Sequence, residues 1–187
     1  YPGPSVNNTS EYITRDLNTG RFDFFCGGIT IPSRKTESAK LFRKGSNGIE
    51  FFTSQVLYNG NKIKKMLKHY DDICEKNGVM PRRILLSFAP VSSKKNIDFL
   101  KWLGVEIPEN TEHRLNQDPE NMSNVSLEIA SEILKDILQN NEEKEITVPI
   151  GLNVEHIMSY NFQSSINMLQ KLSRIYREFC IKTSLYD

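Results

Sequence analysis

Cysteine is scarce and scattered in this sequence. Cys26, Cys74 and Cys180 lie far apart along 187 residues with no CxxC spacing, which excludes a disulfide framework and a zinc knuckle and leaves three small hydrophobes suited to a core. Long apolar runs are also missing. No stretch approaches the ~20 residues that a bilayer-spanning helix needs, and no signal peptide opens the sequence, so a cytoplasmic location is the default expectation. Against that background the four sequons starting at Asn7, Asn8, Asn121 and Asn124 read as chance matches in Asn-rich sequence. An excess of one charge is absent too. Lys and Arg number 24 against 23 Asp and Glu, for a net charge of +1, and nucleic acid or a membrane surface would require a basic excess on one face. Lys62, Lys64, Lys65 and Lys68 fall at helical spacing and read as a solvated helix face. The first residue is Tyr1 and not Met, as in a processed product or a fragment.

The usual phosphate and metal signatures do not occur. There is no GxGxxG, GxxxxGK[ST], HExxH or GxSxG, which demotes nucleotide binding through a Gly-rich loop and metal-dependent hydrolysis. Gly27 and Gly28 sit inside a strand-like run, where a bulge or close approach of a ligand is the expected purpose.

What is present is a repeated alternation. "FDFFCGGITI", Phe22 to Ile31, reads as a strand ending at Pro32, and "TESAKLFRKGSNG" follows as a short helix with a capping-type start at Thr36. Ile49 to Leu57 is the next strand. Lys62 to Lys76 is then helical, with Ile63, Met66, Leu67, Tyr70 and Ile73 on one stripe. Arg83 to Ala89 is a third strand, followed by a helix over Lys94 to Leu103. The fourth interval holds a loop with a short helix, the amphipathic segment Ser126 to Asn140, a strand over Ile146 to Leu152 broken by Pro149 and Gly151, and a closing helix from Phe162 to Cys180. Four βα units imply an α/β fold with a parallel sheet. Two architectures satisfy this: a small doubly wound sheet, or part of a (β/α)₈ barrel, whose full complement needs about 250 residues.

Both put their ligand at the C-terminal strand ends, and each apolar strand here finishes in hydrogen-bonding groups. These are Thr30, Ser33 and Arg34; Thr53, Ser54 and Gln55; Ser87, Ser92 and Ser93; and Asn153, Glu155 and His156. Gln55 stands among Phe51, Phe52, Val56 and Leu57, where an amide is costly unless bonded; it reads either as a satisfied core amide or as a ligand contact. His156 reads as a locally bonded loop histidine, and Glu37 with Lys40 as a helix-surface pair.

Taken in order, "GGITIPSRKTESAKLFRKGSNGIEFFTSQVLYN", "LLSFAPVSSKKNIDFLKWLGVEIPE", "SLEIASEILKDIL" and "VPIGLNVEH" resemble the methylenetetrahydrofolate reductase family, in particular its divergent short members, from about Phe24 to Leu172. The resemblance implies a (β/α)₈ TIM barrel of which this chain covers strands five to eight as a single domain, residues 1–187, with "YPGPSV" as the loop after the fourth strand. It implies reduction of 5,10-methylenetetrahydrofolate to 5-methyltetrahydrofolate with NAD(P)H through FAD, in one-carbon and methionine metabolism. Gln55 matches a family glutamine that bonds the pterin, for which an amide is suited because it donates and accepts at once. Asn96 lies where a second pterin-contacting glutamine stands, and Asn153 is kept at the last strand end. Lys44 matches a lysine on the flavin phosphates, and Glu37 an acidic residue near the flavin hydroxyls.

The departures weigh on the flavin. The loop before Glu37 is short, an expected substrate-packing aromatic is Leu100, and an expected arginine is Val154. The family's general-acid glutamate belongs to the first strand and a flavin-bonding acid to the fourth, both outside this chain, so direct hydride transfer from NAD(P)H is an alternative to the flavin route. No catalytic residue and no metal site are assigned. A non-catalytic pterin-binding or assembly protein with a parallel α/β sheet is the alternative function, and a different barrel enzyme acting on a one-carbon or corrinoid partner a third. A half barrel exposes two strand edges and an apolar face, so a homo-oligomer, or poor solubility, is expected of these residues alone; neither nucleic acid nor membrane is expected as a partner.

Overall fold

The computed structural model describes residues 24–184. The "YPGPSV" loop, Asn7, Asn8 and the first two residues of the expected first strand lie outside them. In chain order the elements are β1 (Gly27–Thr30), α1 (Glu37–Ser46), β2 (Phe51–Ser54), α2 (Gly60–Lys76), β3 (Arg83–Phe88), α3 (Lys94–Trp102), α4 (Glu109–Gln117), α5 (Met122–Glu143), β4 (Ile150–Val154), a 3₁₀ turn (Ser159–Asn161) and α6 (Phe162–Ser184).

The strands pair in parallel in the order β1-β2-β3-β4. When each new strand is added on the same side through a right-handed crossover, all the crossover helices fall on one face. The core bears this out. Phe52, Ile84, Leu86 and Phe88 point from the strands onto Leu41 of α1, Leu67 of α2, Leu134 and Ile137 of α5, and Leu172 of α6. The alternate positions, Gly27, Ile29, Phe51, Thr53, Arg83 and Leu85, point the other way, and Ile29 is 59% exposed. No helix among the described residues covers that face, although parallel sheets are ordinarily buried on both sides. This single winding is consistent with a barrel. A doubly wound sheet, with reversed strand order and helices on both faces, is excluded for these residues.

Two glycines shape the open face. A Cβ on Gly27 would lie 2.4 Å from Cζ of Phe51, and one on Gly151 would lie 2.5 Å from Cδ2 of Leu85. The flanking strands thus give up side chains so that Phe51 and Leu85 can lie across them, and Phe25 stacks on Phe51 with ring centroids 5.3 Å apart. The purpose of Gly27 is therefore side-chain packing, not the bulge or ligand approach expected from sequence.

The third unit is also wired differently from its sequence pattern. The helix that returns the chain from β3 to β4 is α5, which packs against α2 and α6 in the main core. The helix expected to do so, α3, has only 9 residues, about 13 Å. With α4 it forms a cap over the carboxyl ends of the strands, around a separate core of Val56, Tyr58, Ala89, Val91, Ile97, Leu100 and Leu115. The Tyr58 hydroxyl donates to Ala89 O at 2.8 Å inside this core, and burial pushes the phenol well above its usual pKa.

β4 begins later than the expected Ile146. Thr147 is held off the sheet by Asp71, which accepts from its N–H at 3.2 Å and its hydroxyl at 2.7 Å, and Pro149 has no N–H to offer a ladder. The shift brings Asn153 into the strand, paired with Ser87.

Candidate functional site

Where β2, β3 and β4 end, the open face changes from apolar to polar. Alternation carries Phe51 and Thr53 on to Gln55, Leu85 on to Ser87, and Gly151 on to Asn153 and Glu155. Gln55 is half-exposed; its Nε2 donates to Leu103 O at 3.3 Å, and a Cβ on Gly104, at φ +81°, would lie 3.8 Å from it. One amide N–H thus ties the end of β2 to the turn after α3, while no bond within the described residues engages Oε1. The cleft between Pro32, Ser33, Gln55 and Lys62 holds only about 20 Å³, close to the volume of one water. Gln55 itself lies on the open sheet face, in line with Thr53 and Phe51.

On that face Asn153 Nδ2 donates to Ser87 Oγ at 3.0 Å and stands 3.5 Å from Glu155 Oε1. The Glu155 backbone N–H extends the ladder to Phe88 O at 2.8 Å. The Glu155 carboxyl is half-buried, and that burial raises it above the usual carboxylate range, with the nearby Ser87 side chain acting in the opposite direction. Sequence reading put Glu155 among the strand-end polar groups without assigning it to the site. The available signal was its i, i+2 relation to Asn153, but that signal needs the true strand boundary.

The other residues singled out from sequence do not join this rim. Asn96 is 3% exposed. Its Oδ1 accepts from Ser92 N at 3.0 Å, Ser92 Oγ at 3.2 Å and Asn161 Nδ2 at 3.2 Å, and its Nδ2 donates to the Tyr160 hydroxyl. It clamps the loop after β3 to the 3₁₀ turn after β4, and the Ser92, Tyr160 and Asn161 partners were not legible in sequence. Leu100 lies in the cap core. Glu37 is 2% exposed, so the surface pair with Lys40 does not form. Its Oε1 accepts from Ile31 N at 3.0 Å and Thr30 Oγ1 at 3.2 Å, which holds the loop after β1, and its Oε2 is buried without a partner. Lys44 is partly exposed, and its Nζ donates to Ile29 O at 3.1 Å. That carbonyl faces away from β2, since Thr30 O serves Gln55 N, so Lys44 sits at the edge of β1 that no other strand among the described residues pairs with. His156 is a locally bonded loop residue, with Nδ1 3.3 Å from Ser165 Oγ and its ring edge-on to Phe162.

Among the described residues no three His, Cys, Asp or Glu side chains are grouped to hold a metal, and no helix is long and apolar enough to cross a membrane. Among the described residues no disulfide joins Cys26, Cys74 and Cys180; Cys74 is buried, Cys26 and Cys180 partly so.

Comparison with known proteins agrees with the geometry. A search of curated protein sequences gives no match. A solved structure of a Clostridium thermocellum protein, described as an uncharacterized protein that binds two copies of 5-methyl-5,6,7,8-tetrahydrofolic acid, is similar with a TM-score of 0.72 and 25% identity. The similarity covers 89% of this chain and 57% of that one, so this chain spans little more than half of that protein's length. The family profile described as methylenetetrahydrofolate reductase matches residues 26–173, which takes in all four strands and the polar rim: the chain belongs to the methylenetetrahydrofolate reductase family.

Proposed function

We propose that these residues are the C-terminal half, strands five to eight, of a (β/α)₈ barrel that reduces 5,10-methylenetetrahydrofolate to 5-methyltetrahydrofolate with NAD(P)H, in one-carbon and methionine metabolism. The observation that carries this reading is the polar rim of Gln55, Ser87 and Asn153 at the carboxyl ends of a parallel sheet that, among the described residues, has helices on its other face alone. An apolar sheet face ending in amides offers a pterin both a surface for its ring and donors and acceptors for its edge. Among the described residues the uncovered face and the two unpaired sheet edges fit closure by four further strands, and they favour homo-oligomerisation of these residues when expressed alone.

Of the residues proposed for folate, Gln55 and Asn153 present their amides on the rim. Asn96 is buried beside it and acts on the site through the loops that it clamps. For FAD, which would supply a two-electron hydride relay, the fit is incomplete: Lys44 offers a cation to a phosphate, but Glu37 turns its carboxylate inward, and no step is routed through the flavin. Direct hydride transfer from NAD(P)H requires neither.

The test is Gln55→Ala in the full-length protein. Loss of one amide from a bonded network costs about 1–2 kcal/mol, so 5-methyltetrahydrofolate should bind about tenfold more weakly, with slower NAD(P)H oxidation by the methylene substrate. Unchanged affinity and rate would sink the assignment. A second reading, pterin binding without reduction, draws on the ligand named for the Clostridium thermocellum protein; folate binding without any NAD(P)H oxidation would select it.

A further inference from the structure

Below its polar rim the open face carries a single charge among the described residues, Arg83 at the start of β3, in register with Phe51 of β2. Its side chain leaves its own strand. A Cβ on Gly151 would lie 3.8 Å from Arg83 Cδ, and Arg83 Nη1 donates to Ile150 O at 3.2 Å. Ile84 N bonds Pro149 O and Glu155 N bonds Phe88 O, so the odd-numbered residues here face β3. Ile150, Leu152 and Val154 face the opposite edge, which no strand among the described residues pairs with. The guanidinium therefore crosses β4 where Gly151 has no side chain and ends at that edge. There the Tyr176 hydroxyl of α6 donates to the same carbonyl at 2.7 Å. Among the described residues no carboxylate forms an ion pair with Arg83, although a guanidinium has five N–H donors to satisfy.

We propose that the strand closing the sheet against β4 carries an aspartate or glutamate that pairs with Arg83, so that one ion pair sets the register of the seam between the two halves. The inference rests on the barrel closure proposed above. Closure turns the open face into a packed interior, and a charge there is tolerated only when it is paired and hydrogen-bonded. Side chains of one interior layer come from alternate strands, and β3 and the closing strand are alternate strands flanking β4. The guanidinium already lies at their junction, and its planar fork matches a carboxylate. Ile150 O is taken by Arg83 and Tyr176, so the new ladder uses Leu152 and Val154. A second copy of this chain does not meet the requirement. It would bring β1 to that edge, and the open-face residues there, Phe25, Gly27 and Ile29, include no acid.

Arg83→Lys, Arg83→Met and Arg83→Glu in the full-length protein test the pair. Removing one partner of a buried ion pair is strongly destabilising, so Arg83→Met should melt on the order of 10 °C below wild type. Arg83→Glu should melt lower still through like-charge repulsion, and Arg83→Lys should lie between Arg83→Met and wild type. Changing the inward carboxylate of the closing strand to lysine in the Arg83→Glu background should recover much of the loss. Equal melting temperatures for Arg83→Met and Arg83→Glu would mean that Arg83 serves only Ile150 O, and would overturn the proposal. An Arg83→Met protein more stable than wild type overturns it as well, and points to a second copy whose own cation is nearby. Closure itself is read separately, from alkylation of Ile29→Cys by N-ethylmaleimide in the native full-length protein, counted above the parent protein. Protection of that thiol together with silent Arg83 variants removes this pair alone. Labelling as fast as in urea removes the closed barrel, and the pair with it.

Discussion

Replacing Asn96 with alanine tests whether that residue is a loop clamp or a substrate contact. The substitution deletes one acceptor that serves Ser92 N, Ser92 Oγ and Asn161 Nδ2, and one donor to Tyr160. Not all the partners are stranded. Ser92 Oγ keeps its bond to Asn161 Oδ1 and Asn161 Nδ2 keeps Pro90 O, while the Tyr160 residue is 63% exposed and its hydroxyl can turn to water. Ser92 N has no other bond, and an orphaned backbone N–H costs about 1–3 kcal/mol. Adding about 1 kcal/mol for the weakened remainder gives ~3 kcal/mol. In a chain of this size 1 kcal/mol shifts the melting temperature by about 2–4 °C, so a fall of about 6–12 °C is expected. Thermal unfolding followed by circular dichroism measures it. Asn96→Asp, which keeps the acceptor, should recover part of the loss. A melting temperature within 1 °C of wild type, with weakened folate binding, would refute the clamp and restore Asn96 as a direct ligand contact.

The open face and its acid make further predictions. Gly151→Ala puts a Cβ against Leu85 Cδ2 and should cost about 1–3 kcal/mol as overpacking; Leu85→Ala in the same chain should relieve much of that penalty, and additive losses in urea titrations would contradict the packing account. For Glu155, burial raises the folded-state pKa above its unfolded value. Its stabilising contribution is then present below the unfolded pKa and is lost as pH rises through the folded one. The melting temperature of Glu155→Gln minus that of wild type should therefore grow as pH is raised from about 4 towards neutrality, and a difference independent of pH would show that the carboxyl is not perturbed.

Much of the fold was legible because its signals are local. The stripe of Ile63, Met66, Leu67 and Tyr70 specifies α2, and the apolar runs at Phe52 and at Ile84 to Phe88 specify buried strands. Where sequence reading erred, distant residues decide. The late start of β4 depends on Asp71, 76 positions from Thr147. The cap role of α3 depends on packing against Val56 and Leu115. Glu37 resembles a surface acid until Thr30 and the Ile31 N–H are brought beneath it.

The sequence by itself determined the βα alternation, the family resemblance and the polar ending of each strand, because periodicity and composition are properties of short segments. Only the tertiary structure decided between single and double winding, since that is a matter of strand order. It alone separated Gln55, Asn153 and Glu155, on the open rim, from Asn96 and Glu37, which are buried as clamps. Side chains of the same chemistry take opposite roles here according to which face of the sheet or helix their backbone presents, and that direction is fixed by register and packing among residues remote in the chain.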